Sequence, residues 1–395
     1  MVEKMIRTFH PVGQGTFYTE RFYDEEQGKP VFTAVYDCGS VNDRQLKKAI
    51  DQTFGEDDII NLLFVSHFHS DHINRIEYLK KRCHVRYIVI PELTSGLVLD
   101  SLVHDFIQSD GSEWNRNALQ FLSSCINASY NNDGDDIRVV RVDVSGEGSE
   151  ERRVIYLDRG DSIGPNVSRN TEIRFRDWIY VPYYVGDKFE ELITELKPEF
   201  EKIGFVFNQD FKATGYVEAL CDEIRKIDVD ILRQIYGKVY KNNHNSYSMS
   251  VYSGIGCGRE YDYDYDCRYD CRYYGRRRFL MYPWRTNHSL PYHVNCLYTG
   301  DYNAENGLNF TYLTTYFSRY WSRIGLVQVP HHGSEHNSDH KLYSHPNKLA
   351  IMSFGTKNLY GHPDSKTIDE IVSAGSVPIA VTEYGWTELR FEYRL

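Results

Sequence analysis

Hydrophobic and polar positions along the first ninety residues follow the periods of short strands and helices in turn. Strand-like patterning over residues 4–10 and 16–22 flanks the turn Val12-Gly13-Gln14-Gly15, and residues 31–38 give a third strand. Asn42 or Asp43 caps a helix running to Phe54, since a short side-chain oxygen there satisfies backbone N–H groups of the first turn. A nearly unbroken apolar run over 59–66 has the character of a buried strand. Helical spacing follows over 74–82, then a second apolar run over 85–91. Strand and helix in succession predict an α/β layered fold.

From about 94 to 242 the pattern loosens. Helices are predicted over 97–108, 113–130, 188–200 and 217–236, strands over 138–144 and 152–157, with a polar break at 131–136. This segment reads as an insertion or cap, largely helical, between a first half of the domain (1–93) and a second half (243–395). The second half alternates again, with strands over 294–299, 326–329, 349–354, 378–382 and 387–393 and helices over 309–323 and 365–374. Inside it, residues 257–278 are a Tyr/Asp/Arg-rich stretch with too little aliphatic content for a core strand. A solvated hairpin is the simpler account of this loop. A substrate-facing arm is the sharper one, since Tyr faces stack on bases and Arg forks grip phosphates.

Composition changes this picture only in part. With 395 residues, 41% hydrophobic and 26% charged, the chain resembles an ordinary globular protein, apart from its 32 tyrosines, which suit a polar-tipped core rim. The net charge of -11 and pI near 5.8 argue against wrapping duplex DNA on a broad basic face. They leave a small anionic substrate open, because divalent cations in a cleft dominate the local field. No window has the length of a membrane-spanning helix, the start lacks the pattern of a secretory signal, and the eight cysteines are scattered; a cytoplasmic protein with reduced thiols is expected.

The chemistry concentrates where apolar runs end. Phe64-Val65-Ser66-His67-Phe68-His69-Ser70-Asp71-His72 closes a buried strand with four potential ligands in six residues. Side chains two apart in extended chain point the same way, so His67 and His69 suit one metal, while Asp71 and His72 on the next turn reach a second. Imidazole with carboxylate favours Zn, Mn or Fe over Ca. Two coordination spheres need a bridging carboxylate and more imidazole, and both stand at later strand ends: Asp301 in Tyr298-Thr299-Gly300-Asp301, and His331-His332 in Val329-Pro330-His331-His332-Gly333-Ser334.

This set resembles the metallo-β-lactamase superfamily, and within it the hydrolase domain of ComEC-type competence proteins. The narrower likeness is carried by Val12-Gly13-Gln14-Gly15, Asn245-Ser246, Tyr298-Thr299-Gly300-Asp301, the His331-His332 turn, and Ser353-Phe354-Gly355 through Asn358-Leu359-Tyr360-Gly361-His362-Pro363. It spans residues 4–92 and 240–395. The resemblance implies an αββα sandwich with a central, largely helical insertion. It also implies two divalent ions, Zn or Mn, held by His67, His69, Asp71, His72, Asp301 and His332. His331 then lies nearer the substrate, and Asn245 rather than His244 takes the place of the superfamily's third histidine. Three departures stand out: His69 where the competence family often has Asp, His10 where an acid commonly precedes the turn, and no membrane helices.

Two divalent ions can share a hydroxide and aim it at an electrophile. The expected activity is therefore a metal-dependent hydrolase, a phosphodiesterase or nuclease acting on a nucleotide or nucleic acid. Asp71, His331 and His362 take the catalytic roles, and Ser334, Asn358 and Asn245 contact substrate. Thioester or lactam hydrolysis is the alternative within the fold, and a non-catalytic metal-binding or sensory module the alternative outside catalysis.

Overall fold

The apolar runs pair into two eight-stranded sheets lying face to face. The computed structural model describes residues 2–24, 28–112, 114–130, 138–143, 152–168, 170–205, 212–239, 248–256, 294–305, 307–344 and 348–394. The first sheet contains β1 (Val2–Phe9), β2 (Gly15–Asp24), β3 (Phe32–Ser40), β4 (Ile59–Phe64), β5 (His84–Pro91), β6 (Arg138–Asp143), β8 (Asn166–Ser168) and β16 (Leu389–Arg394), in the order β16-β1-β2-β3-β4-β5-β6-β8. The second contains β7 (Arg153–Tyr156), β9 (Thr171–Phe175), β10 (Trp178–Tyr183), β11 (Ser250–Ile255), β12 (Asn295–Tyr298), β13 (Ile324–Gln328), β14 (Leu349–Ser353) and β15 (Val377–Val381), in the order β15-β14-β13-β12-β11-β10-β9-β7. Pairing is parallel from β3 to β8 and from β12 to β15. Within these stretches β4, β13 and β14 are largely apolar and buried, as expected when both faces are covered.

Helices complete the αββα sandwich. On the first sheet lie α1 (Asp43–Thr53), α2 (Ser70–Ile73), α3 (Ile76–Arg82) and α5 (Arg116–Tyr130). Asn42 caps α1, its side chain accepting from the Gln45 N–H, and Leu46, Ala49 and Ile50 form its buried face. On the second sheet lie α9 (Gly307–Tyr316), α10 (Ser318–Trp321) and α11 (Ser365–Ser373), whose Leu313, Tyr320 and Ile371, with Phe317 between α9 and α10, join a cluster with Leu297, Ile324 and Val327. The tyrosines serve the core: Tyr18, Tyr180, Tyr252, Tyr320 and Tyr343 are fully buried, and Tyr36 of the first sheet stacks on Tyr298 of the second at 4.9 Å.

The segment 94–242 does not stand apart from the sandwich. Its helices are α4 (Ser95–Gln108), α5, α6 (Asp187–Lys202), α7 (Tyr216–Ile224) and α8 (Val229–Val239), but it also supplies β6 and β8 to the first sheet and β7, β9 and β10 to the second. The single helix expected over 217–236 is two, α7 and α8, and the one over 309–323 is α9 and α10. β9 and β10 carry strand-like patterning, yet only pairing with β11 shows that they belong to the core. No helix among the described residues is long and apolar enough to cross a membrane. The loop 257–278 lies outside the described residues.

Candidate metal centre

The centre forms where parallel strands end. Beyond β4 the chain stays tied to β5 through Val65 N–H to Val89 O, 2.9 Å, and then alternates its side chains. Phe68 turns into the core towards Phe121, while the His67 and His69 rings lie 4.4 Å apart. His69 is still extended and opens α2, whose first turn carries Asp71 and His72. That short helix lies directly on β3: a Cβ at Gly39 would sit 2.3 Å from the His72 backbone, so only glycine permits the approach.

Asp301 is placed from the second sheet. Gly300 takes φ 55°, and a Cβ there would meet Ser248 Oγ at 2.3 Å. The Gln328 side chain accepts the N–H groups of Thr299 and Gly300, each at 3.1 Å, and Ser248 Oγ accepts that of Asp301 at 3.0 Å. After β13, His331 and His332 both adopt left-handed backbone, φ 46° and 56°. For a non-glycine residue this costs on the order of 1–2 kcal/mol. The turn is held by His331 N–H to Gly300 O, 3.1 Å, and by His332 Nδ1–H to Ser353 O, 2.8 Å.

Two ligand groups result: His67, His69 and Asp301, and Asp71, His72 and His332, with the ligand atoms of each within 4.8 Å of one another. Asp301 faces both. Its Oδ2 is 3.5 Å from His67 Nε2, and its Oδ1 is 3.2 Å from His72 Nε2 and 3.9 Å from His332 Nε2. Asp71 Oδ2 lies 3.2 Å from His332 Nε2.

The hydrogen-bond inventory fixes which nitrogens carry protons. Asp37, buried within β3, accepts from His72 Nδ1–H at 2.8 Å and from Ser66 Oγ–H at 2.7 Å. Ser66 Oγ, its own proton spent, accepts from His67 Nδ1–H at 2.9 Å. His67 and His72 therefore turn bare Nε2 lone pairs inward, and both atoms are buried with no hydrogen-bond partner. Lone pairs of imidazole facing carboxylate oxygens in a dry space are reconciled by protons or by cations. Burial, with His72 and His69 beside it, holds His67 well below its usual range, so protonation is closed to that ring. Burial also works against charge on His72 and Asp301. Asp301, Asp71 and Asp37 outweigh it and raise His72, while His72, His331 and His67 hold Asp301 well below the usual carboxylate range. This donor set fits divalent transition metals.

The other expected residues divide. His331 donates Nδ1–H to Asn337 Oδ1 at 2.9 Å and sets Nε2 3.7 Å from Asp301 Oδ2, beside the centre but in neither ligand group. His362 brings its ring 5.5 Å from that of His331; burial, then His331 and His332, push it down to about 4. The Asn358 side chain is engaged within its own loop. Its Nδ2 donates to Gly355 O and His362 O, and its Oδ1 accepts from Tyr360 N–H and His362 N–H, because the loop needs all four bonds to close. Ser334 is buried and its hydroxyl accepts from His336 N–H, which makes it a turn-forming group. His244 and Asn245 lie outside the described residues.

Sequence reasoning passed over Asp37, Ser248, Gln328 and Asn337, which orient the centre. Asp37 alone left a usable signal, an acid set in an otherwise apolar strand after Ala34-Val35-Tyr36.

Residues 32–155 match the model of the metallo-beta-lactamase superfamily. No curated protein matches the chain. The match covers less than half of the chain, and with the two face-to-face sheets and their flanking helices it is consistent with the metallo-β-lactamase αββα fold. The match includes His67, His69, Asp71 and His72, and with the two His/Asp groups it supports a metal-dependent hydrolase.

Proposed function

We propose that the chain is a binuclear metal-dependent hydrolase of phosphodiesters, with a nucleotide or nucleic acid as substrate and Zn or Mn as the metal. The observation that carries this reading is Asp301, one carboxylate turning its two oxygens to two separate imidazole groups. The ComEC-like motifs favour phosphodiester cleavage among the chemistries of the fold. The imidazoles beside the ligands, His331 and His362, suit a polar anionic substrate better than an apolar acyl chain.

When bound, two divalent ions supply Lewis acidity and bring the pKa of water towards neutrality. The chain's own groups do the rest. Asp71, part-exposed, accepts a hydrogen bond from the attacking water and orients it. Asn337 spends its Nδ2 on Asp301 O, so its oxygen fixes the His331 proton on Nδ1 and leaves Nε2 basic. That nitrogen takes a proton from the water and returns it to the leaving oxygen. His362, neutral above about pH 4, offers an uncharged N–H to negative charge developing on phosphorus-bound oxygen.

The test is metal analysis of the purified protein after Zn or Mn loading, followed by a panel of a chromogenic phosphodiester, a dinucleotide, a thioester and a β-lactam. About two ions per chain and chelator-sensitive cleavage of the phosphodiesters are expected. No bound metal, or preferred cleavage of the thioester or lactam, would overturn the proposal.

A further inference from the structure

Each ligand imidazole has a partner on the side away from the ligand groups, and three of the four are clear. His72 has Asp37, His67 has Ser66, and His332 has Ser353 O. For His69 the group in that position is Asp100, on α4, whose Oδ2 lies 3.8 Å from His69 Nε2 with both side chains almost fully buried. Asp100 is tied in turn to α8, where Tyr236 donates its hydroxyl to Oδ1 at 3.2 Å. One turn along α4, His104 lies flat on the His69 ring, 3.7 Å between centroids and 9° between planes. Asp100 and His104 stand at i and i+4, so a single helix face addresses both the edge and the face of one imidazole.

We propose that Asp100, braced by Tyr236, is the positioning residue of His69. It accepts the Nε2 proton so that Nδ1 is left bare for the metal, and the α4–α8 helix pair is thereby a working part of the centre. An imidazole free to rotate, or protonated on the wrong nitrogen, is a poor ligand, and a carboxylate acceptor corrects both faults at once. The 3.8 Å separation is longer than a formed hydrogen bond, and a small adjustment of either buried side chain closes it. The inference rests on His69 being a ligand, as proposed above.

The test compares Zn²⁺ affinity, by chelator competition, in wild type, Asp100→Asn and Tyr236→Phe, together with the visible spectrum of the Co²⁺-loaded proteins and the melting of the metal-free proteins. Asp100→Asn should weaken one of the two Zn²⁺ sites by about 10- to 100-fold, with full occupancy restored at high Zn²⁺. Its Co²⁺ spectrum should change, and Tyr236→Phe should move both readouts the same way by less. Wild-type affinity and spectrum in Asp100→Asn would overturn the positioning role. So would a site that never fills in a folded variant, since Asp100 would then be a ligand. A drop in metal-free melting with no change in affinity would make the contact merely structural and also overturn it. Failure of the wild type to bind Zn²⁺ would instead overturn the binuclear reading itself.

Discussion

Two dry clusters of charged and polar groups lie inside this sandwich, and they are built on opposite plans. Between the sheets, Arg7 of β1 and Glu20 of β2 form an ion pair at 2.7 Å with both side chains buried. Arg7 also donates to Val294 O, and Glu20 accepts the hydroxyls of Tyr180, Tyr298 and Ser253. Donors meet acceptors, and the cluster closes on itself. At the sheet ends, imidazole Nε2 atoms crowd with carboxylate oxygens around a common space, and donors run short there. Burial and charge alone do not distinguish the two. What separates them is the proton inventory: the first cluster pairs donors with acceptors, whereas in the second the buried Nε2 of His67, on a ring held well below its usual range, is left without a hydrogen-bond partner and calls for a cation.

Breaking each cluster in turn should therefore give opposite phenotypes. The largest effect is expected from Asp301→Ala, which should abolish hydrolysis and lower metal content by removing the one carboxylate shared by both groups, yet leave the metal-free protein folded. Elemental analysis beside metal-free thermal melting checks it; a collapse of the metal-free fold would erase the distinction. Glu20→Ala should do the reverse. It strands a buried guanidinium and should cost about 3–5 kcal/mol of stability, measured by denaturant unfolding, while metal stoichiometry of the folded fraction stays at the wild-type value.

The smallest effect sharpens the comparison at a third buried group. His10, stacked on Phe17 and bonded to Thr19 Oγ1, is pushed by burial and by Arg21 and Arg390 from its ordinary 6.5 down to about 3. Between those values the unfolded chain binds the proton and the folded chain does not. Its contribution is thus intact above pH 6.5 and is lost as pH falls towards 3, with a slope of at most about 1.4 kcal/mol per pH unit. His10→Gln should flatten that part of the stability–pH curve, read from unfolding midpoints across pH 3–7, and should leave metal affinity unchanged. A parallel curve would show that His10 contributes nothing to acid sensitivity.

Much of this was legible in the chain. The run 59–66 followed by His67, His69, Asp71 and His72 announces both a buried strand and what stands at its end, because an apolar period and a ligand spacing are local properties. The alternation of strand and helix and the α1 cap were equally readable, and the αββα sandwich followed from the family resemblance. The strands β8, β9 and β10 were missed for the opposite reason: strand-like patterning over β9 and β10 does not say which sheet a strand joins. Their membership of the sheets is decided by pairing partners far away in sequence, such as β11 for β10. The bonding of Asn358 was hidden similarly, since a side-chain amide that makes four hydrogen bonds within its own loop looks in sequence like any other amide.

By itself, then, the sequence determined which residues have ligand chemistry and that they stand at strand ends, since both follow from side-chain type and hydrophobic period. Only the tertiary structure decided that Asp301 sits between two groups, that Asp37 sets the His72 proton and that Asp100 faces His69. Those relations join residues 31 to 234 positions apart, and no local pattern encodes which nitrogen of an imidazole is left bare when distant strands and helices close around it.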